Sequence, residues 1–219
     1  PLGKKVKTLQ PIFKRLNEIV QQTQQSENLR IKLSQELIKL RSVGEEEISP
    51  LAKGATYKML DISEKWLELI EQTIETTKAG EEFNVDTSDL ELEPLQVVQF
   101  QTAVLGFQNN ANLLIGFLLQ GAQSQDPKTI EELQGLFLQN IASMASPLLE
   151  LSKEAEVPKL DNLFKQLLVL GSKGDQTTDI LKLRLHQLTL NEESKMLLSQ
   201  ARDISGDLSS EVNKIVSTL

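Results

Sequence analysis

Residues 177–219, TTDILKLRLHQLTLNEESKMLLSQARDISGDLSSEVNKIVSTL, contain no proline and close on one regular apolar seam. The seam reads Leu197, Ala201, Ile204, Leu208, Val212, Ile215 and Leu219, with steps of four, three, four, four, three and four residues. That spacing keeps one helical face toward a partner. The two successive four-residue steps from Ile204 to Val212 form a stutter, which locally unwinds coiled-coil packing. A helix over about 177–219 would be roughly 60 Å long at 1.5 Å per residue, longer than a compact domain of this size is wide. An elongated, rod-like molecule is the expectation.

The composition agrees with a helical protein. Of the 219 residues, 39% are hydrophobic and 25% charged, as in ordinary globular chains, but only 4% are aromatic. Leu, Gln, Glu, Ser and Lys dominate, which favours helix bundles over sandwiches built from aromatic and β-branched strands. The net charge of −8 and a pI near 4.9 argue against binding along a nucleic-acid backbone, which needs a basic stripe. Lys4, Lys5, Lys7, Lys14 and Arg15 form a local basic cluster, either a solvated first turn or a neighbour of anionic lipid headgroups. There is no cysteine, so disulfides and thiol chemistry are excluded, and both a reducing cytosol and a periplasm fit. The longest apolar run, 113–119, is far too short to span a bilayer. Because the chain starts at Pro1 without a signal-peptide pattern, it is expected to be an excised piece of a larger protein, with 1–3 a possible vector remnant.

Six helices are predicted, two long and four shorter, in an antiparallel bundle. The first, over 4–43, stops at Gly44 and carries the seam Val6, Leu9, Phe13, Leu16, Val20, Leu33, Leu37 and Leu40. Its middle, 21–28 (QQTQQSEN), is polar: a solvated segment, a junction between two bundles, or a ligand pocket. A second helix, about 51–78, follows the break at Ser49 and Pro50 and presents Met59, Trp66, Ile70 and Ile74, with Trp66 a core anchor. Residues 80–93 read as a linker, ended by a proline, Pro94, suited to open a third helix to about 124. That third helix is apolar nearly all round, so it is central or covered by another subunit, and Asn109, Asn110 and Asn112 within it need partners. Asp126 and Pro127 supply an N-cap and a first-turn proline for the fourth, which carries Ile130, Leu133, Phe137, Ile141, Met144 and Leu148 and should kink at Pro147. A short fifth helix begins near Pro158. An even number of passes brings the two chain ends together.

No catalytic motif is present: the chain lacks HExxH, GxSxG, a phosphate-binding glycine loop and EF-hand spacing. Paired carboxylates are too common among 31 acidic residues to indicate acid–base chemistry. The lone histidine, His186, falls on or beside the buried face of the last helix, as a core histidine with one hydrogen bond or as a ligand contact. An organic anion would need semi-buried positive charge, and Arg184, one turn from Leu181 and Leu188, is the arginine best placed. With His186, Asn109 and Asn112 it makes up the candidate ligand site, and no metal or cofactor is expected. Two or three charge-assisted bonds, each of about 1.5–3 kcal/mol, would support micromolar binding.

The block 112–120 (NLLIGFLLQ), Gln125-Asp-Pro with Ile130, Leu133 and Phe137 after it, and the ending 201–216 (ARDISGDLSSEVNKIV) resemble extracytoplasmic sensor domains of bacterial histidine kinases and chemoreceptors. The pattern is most similar to the helical bimodular sensors, which include the trimethylamine-oxide sensor kinases. The resemblance covers essentially the whole chain, by pattern and helix count. It implies a single sensor domain over 1–219, made of two stacked four-helix modules that share the long helices. It also implies a homodimer in the periplasm, anchored through its parent protein in the membrane, that senses a small organic ligand or a periplasmic solute-binding protein. The signal would be a displacement of the C-terminal helix against the first. A cytoplasmic scaffold that binds partner helices in a groove is the alternative, and an enzyme with scattered side chains a third. Hydrophobic spans on both sides of this segment in the full gene are expected for the sensor; their absence would sink it.

Overall fold

The computed structural model describes residues 2–79, 88–154 and 157–217. Among these the regular structure is helical: α1 (Leu2–Ala79), α2 (Ser88–Gln123), α3 (Pro127–Ile141), α4 (Ala145–Glu154), α5 (Pro158–Leu168) and α6 (Ile180–Val216). A 3₁₀ turn, Ala142–Met144, joins α3 to α4, and a π turn, Val169–Lys173, follows α5. Counted as continuous paths, the described residues hold five helices rather than six, because the first two predicted helices are one.

Neither expected breaker between them breaks α1. Gly44 is buried, and a Cβ there would lie 3.1 Å from Leu163 Cδ1, so the glycine admits α5 to close approach instead of ending a helix. Pro50 and the residue whose carbonyl it cannot serve, Glu46, both lie on the exposed face, where water takes that carbonyl. Pro94 likewise sits inside α2, which starts six residues earlier than its proline suggested. Of the predicted linker, 80–87 lie outside the described residues and the remainder is helix.

The chain divides into two compact units, Pro1–Glu36 with Leu118–Gln134 and Val169–Leu219, and Leu37–Phe117 with Gly135–Leu168. The division falls on α1 between Glu36 and Leu37, beyond the polar stretch 21–28.

In the first unit α1 and α6 run antiparallel. Lys5 Nζ reaches Glu211 at 2.9 Å, Arg15 Nε reaches Glu193 at 2.7 Å, and Glu27 meets Gln187 at 3.4 Å, so α6 numbers fall as α1 numbers rise. The first turns of α1 and the last turns of α6 therefore lie side by side, as expected, though not through the parity of six helices on which the expectation rested. The end of α2 and the start of α3 add Leu118, Ala122, Ile130 and Leu133 to a core completed by Ile180, Leu181, Leu183, Leu188 and Leu190 of α6. Below that hairpin the core thins: on α6 beyond Leu190 only Ala201 is buried. The predicted α1 seam holds at Leu33, Leu37 and Leu40, which are buried, but is rotated before them. Ile12 and Ile19 are buried, whereas Val6, Phe13 and Val20 face outward.

In the second unit α1, α2, the α3–α4 path and α5 surround Leu37, Leu40, Ile48, Val104, Phe107, Leu114, Phe137, Met144, Leu151, Leu160 and Leu163. Pro147 has its effect one turn early, as the 3₁₀ turn. The carbonyl it leaves unpaired, that of Ser143, accepts a bond from Asn110 Nδ2 of α2 at 3.3 Å. Trp66 is half-buried, and Ile70 and Ile74 are on the outer face of α1.

Helix starts follow local capping chemistry. Asp126 accepts from Lys128 N and Thr129 N at 3.2 Å, as its place before Pro127 predicts. Asp179, in extended conformation, accepts from Leu181 N and Lys182 N, so α6 starts at Ile180 rather than at 177.

Glycine substitutions should separate packing from propensity. A Cβ at Gly121 would overlap Leu181 Cδ2, and Leu181 is fully buried, so its side chain must repack within the core to make way. Gly121→Ala should therefore destabilise by about 1–3 kcal/mol. Gly54→Ala, which meets nothing within 4 Å, should stabilise by about 0.5–1 kcal/mol. Urea unfolding followed by circular dichroism reads both signs.

Candidate functional site

The polar stretch of α1 is one wall of a charged clasp in the first unit. Glu27 and Arg30 stand one turn apart on α1, and Arg184 and Gln187 one turn apart on α6, so each pair projects from one helical face. Between them α2 ends, and helix ends leave carbonyls without partners. Arg30 Nη1 donates to Ala122 O at 3.2 Å, and Arg184 Nε donates to Ser124 O at 2.7 Å. Positive charge at this position also complements the negative end of the helix dipole. Glu27 accepts from Arg30 through both oxygens and from Gln187 Nε2, and Gln187 Oε1 accepts from Arg184 Nη1 at 3.0 Å. Three helices are thus joined by one connected network.

Its electrostatics are unequal. The Arg30 hydrogen bonds hold the Glu27 carboxyl below its usual value, and Glu27 in turn raises Arg30. Arg184 is only 8% exposed, and burial first, then the charge of Arg30, pushes its guanidinium below its ordinary value. A neighbouring feature fixes the start of α6: burial raises the Asp179 carboxyl, whose Oδ2 makes no hydrogen bond but faces Lys182 Nζ at 3.3 Å. Lys182 also donates to Ser172 O and Gly174 O.

The four residues singled out from the sequence fall in both units. Arg184 and His186 belong to the first, Asn109 and Asn112 to the second. Arg184 is semi-buried as expected, but its partners are a backbone carbonyl and Gln187. His186 is half-buried and, among the described residues, its side chain makes no hydrogen bond, which corrects its reading as a bonded core histidine. Asn109 is exposed, and Asn112 borders a crevice of about 10 Å³ beside Gly44 and Leu163, too small for a solute. Sequence reasoning missed Glu27, Arg30 and Gln187. The available signal was the paired one-turn spacing, Glu27 with Arg30 and Arg184 with Gln187, on two helices expected to be antiparallel.

Among the described residues are two concavities large enough for a small molecule. In the first unit a groove of about 470 Å³ lies between α1 and α6, lined by Ile19, Val20, Thr23, Gln24, Glu27, Asn28, Asn191 and Ser194. In the second, a more apolar cleft of about 430 Å³ lies between α4 and α5, with Leu148, Leu149 and Phe164 on its walls and Asp161 at its edge. Among the described residues no group of His, Asp and Glu could hold a metal ion, and no helix is long and apolar enough to cross a membrane.

No protein-family model matches the chain, and no curated protein sequence does. Among solved structures its fold is similar to that of the TorS sensor domain, crystallised in complex with TorT in the presence of TMAO. The similarity has a TM-score of 0.54 over 98% of this chain and 74% of that one, at 16% identity. The likeness is one of fold, and it is the all-α fold expected from the resemblance.

The clasp has a pH signature. A carboxylate held below its ordinary value contributes stability above that value and loses it as pH falls through the depressed one. The Glu27 side chain is 43% exposed, so solvent screens its contribution. Glu27→Gln should cost about 1 kcal/mol at neutral pH, and its difference from wild type should shrink and vanish as acidification carries the pH below the depressed Glu27 value. Thermal unfolding across that range measures both.

Proposed function

We propose that this chain is the extracytoplasmic sensing module of a membrane-anchored signalling receptor, of histidine-kinase or chemoreceptor type. It would do no chemistry of its own. The observation that carries this reading is the fold, similar to the TorS sensor domain across nearly the whole chain, together with the pairing of the first turns of α1 and the last turns of α6. Such paired ends suit two helices that continue side by side into a membrane, and the periplasm is the compartment that goes with it. In this reading a small shift of α6 against α1 carries the signal.

The module acts as a homodimer through the first unit. Val6, Phe13 and Val20, at heptad spacing on α1, are 50%, 57% and 60% exposed, and Leu198 and Val212 are exposed on the antiparallel stretch of α6. A two-helix pair cannot bury such faces, and a second pair from another copy completes a four-helix bundle.

Its input is a protein partner, a solute-binding protein, a reading supported by the TorS sensor domain having been crystallised in complex with another protein, TorT. The docking face is the outer side of α1 in the second unit, where Tyr57, Leu60, Leu67, Ile70 and Ile74 are exposed. An apolar face of this extent on a helix marks an interaction surface.

Light scattering behind size exclusion should show a dimer for the wild type and a monomer with unchanged helicity for Phe13→Glu; a monomeric wild type at micromolar concentration refutes the dimer. Leu67→Glu should leave the dimer intact and abolish capture of the solute-binding protein that the wild type retains from a periplasmic extract of its own organism. Capture that survives it moves the docking face elsewhere.

A further inference from the structure

We propose that the groove between α1 and α6 in the first unit is a binding site for a small neutral polyhydroxylated solute, a polyol or sugar. The proposal rests on the sensor reading only for its use, and on the groove itself for its chemistry. Five of the lining side chains, Thr23, Gln24, Asn28, Asn191 and Ser194, are uncharged hydroxyls and amides. Among the described residues none of them makes a side-chain hydrogen bond within the protein, so their donors and acceptors are free for a ligand. Each of these groups both donates and accepts, the same dual character as a hydroxyl of a polyol. Val20, 60% exposed, gives an apolar edge against which the carbon face of such a solute can lie, and the buried Ile19 supports the floor beneath it.

Charge selects against the other ligand classes. No lysine or arginine lines the groove, so an organic anion would be held without a counter-charge. The one carboxylate, Glu27, has both oxygens committed to Arg30 and one shared with Gln187, so a cation finds its partner already neutralised. Arg184, the anion-binding candidate from the sequence, is turned to Ser124 O and Gln187 and is not part of the lining. A volume of about 470 Å³ falls within the range of small-molecule sites.

The position of the groove gives binding a consequence. Val20 belongs both to its wall and to the outward stripe with Val6 and Phe13. In the proposed dimer the second copy would therefore close over the groove, and a bound solute would stabilise the paired state by mass action.

The test is thermal unfolding of the wild-type chain with millimolar myo-inositol, sorbitol, glucose, succinate or choline. A neutral probe at about ten times its Kd should raise the midpoint by about 3–6 °C, and succinate and choline should not. Asn28→Ala with Asn191→Ala, both on exposed helix positions, should lose the shift and keep the wild-type midpoint within about 2 °C. The proposal is overturned if no neutral probe gives a shift, if only succinate or choline does, or if the shift survives in the double variant as a general solute effect. Light scattering on the same samples separates this from the dimer. A monomer with an asparagine-dependent shift keeps the groove and removes the dimer, and a dimer without a shift does the reverse.

Discussion

The end of α2 sets the central constraint on the first unit. A helix that stops among other helices presents carbonyls that no intrahelical N–H can reach, and burying them without donors costs on the order of 1–3 kcal/mol each. Ala122 O and Ser124 O receive Arg30 from α1 and Arg184 from α6. Two guanidinium groups brought so close require a counter-charge, supplied by Glu27, and Gln187 bridges it to Arg184. Each member is satisfied only if the others keep their register, so a polar network holds the register of three helices that apolar packing alone would leave free to slide.

Around that network the remaining choices follow. Gly121, one residue before Ala122, lets α6 approach α2 until Leu181 fills the space a side chain would take. Asp126 and Asp179 then start the next two elements that enter the unit, each through backbone N–H groups of its own first turn. The second unit repeats the same accounting once: Pro147 frees the Ser143 carbonyl, and Asn110 from a neighbouring helix takes it. Where a proline lies on an exposed face, as Pro50 does, water serves and no such partner is needed.

Burial along α6 is graded. Ile180, Leu181, Leu183, Arg184, Gln187, Leu188 and Leu190 are buried, and after Leu190 the helix is held mainly by half-buried Leu197, Ile204 and Leu208 and by Arg15 and Lys5 at its side. Regions with few buried contacts open at lower free energy than those with many. A helix anchored at its start and lightly held along its length is a means of turning a small change at the anchor into a displacement farther on, which is what the proposed receptor would require.

Much of this was legible in the sequence. The apolar spacing of 177–219, the low aromatic content and the Asp126-Pro127 cap each rest on local chemistry, and the all-α fold and the start of α3 followed from them. The paired ends were expected from an even count of six helices, whereas the described residues hold five, and the pairing comes instead from the antiparallel packing of α1 and α6. Gly44, Pro50 and Pro94 misled because their effect on a helix depends on what lies beside them: a leucine from α5 for Gly44, water for Pro50. The seam of α1 was right at Leu33, Leu37 and Leu40 but misjudged from Val6 to Val20, for a related reason. Val6, Phe13 and Val20 have helical spacing as good as that of Ile12 and Ile19, and periodicity alone does not say which of two apolar faces a single chain buries. Arg184 was recognisable as a charge near a core, but whether it met a ligand or a carbonyl was decided by where α2 ended in space. Local sequence determines which backbone groups and faces need partners; the tertiary structure alone decided which partners they obtained, because those come from residues far away in the chain, 33 positions for Asn110 and Ser143, 60 for Arg184 and Ser124, and 92 for Arg30 and Ala122.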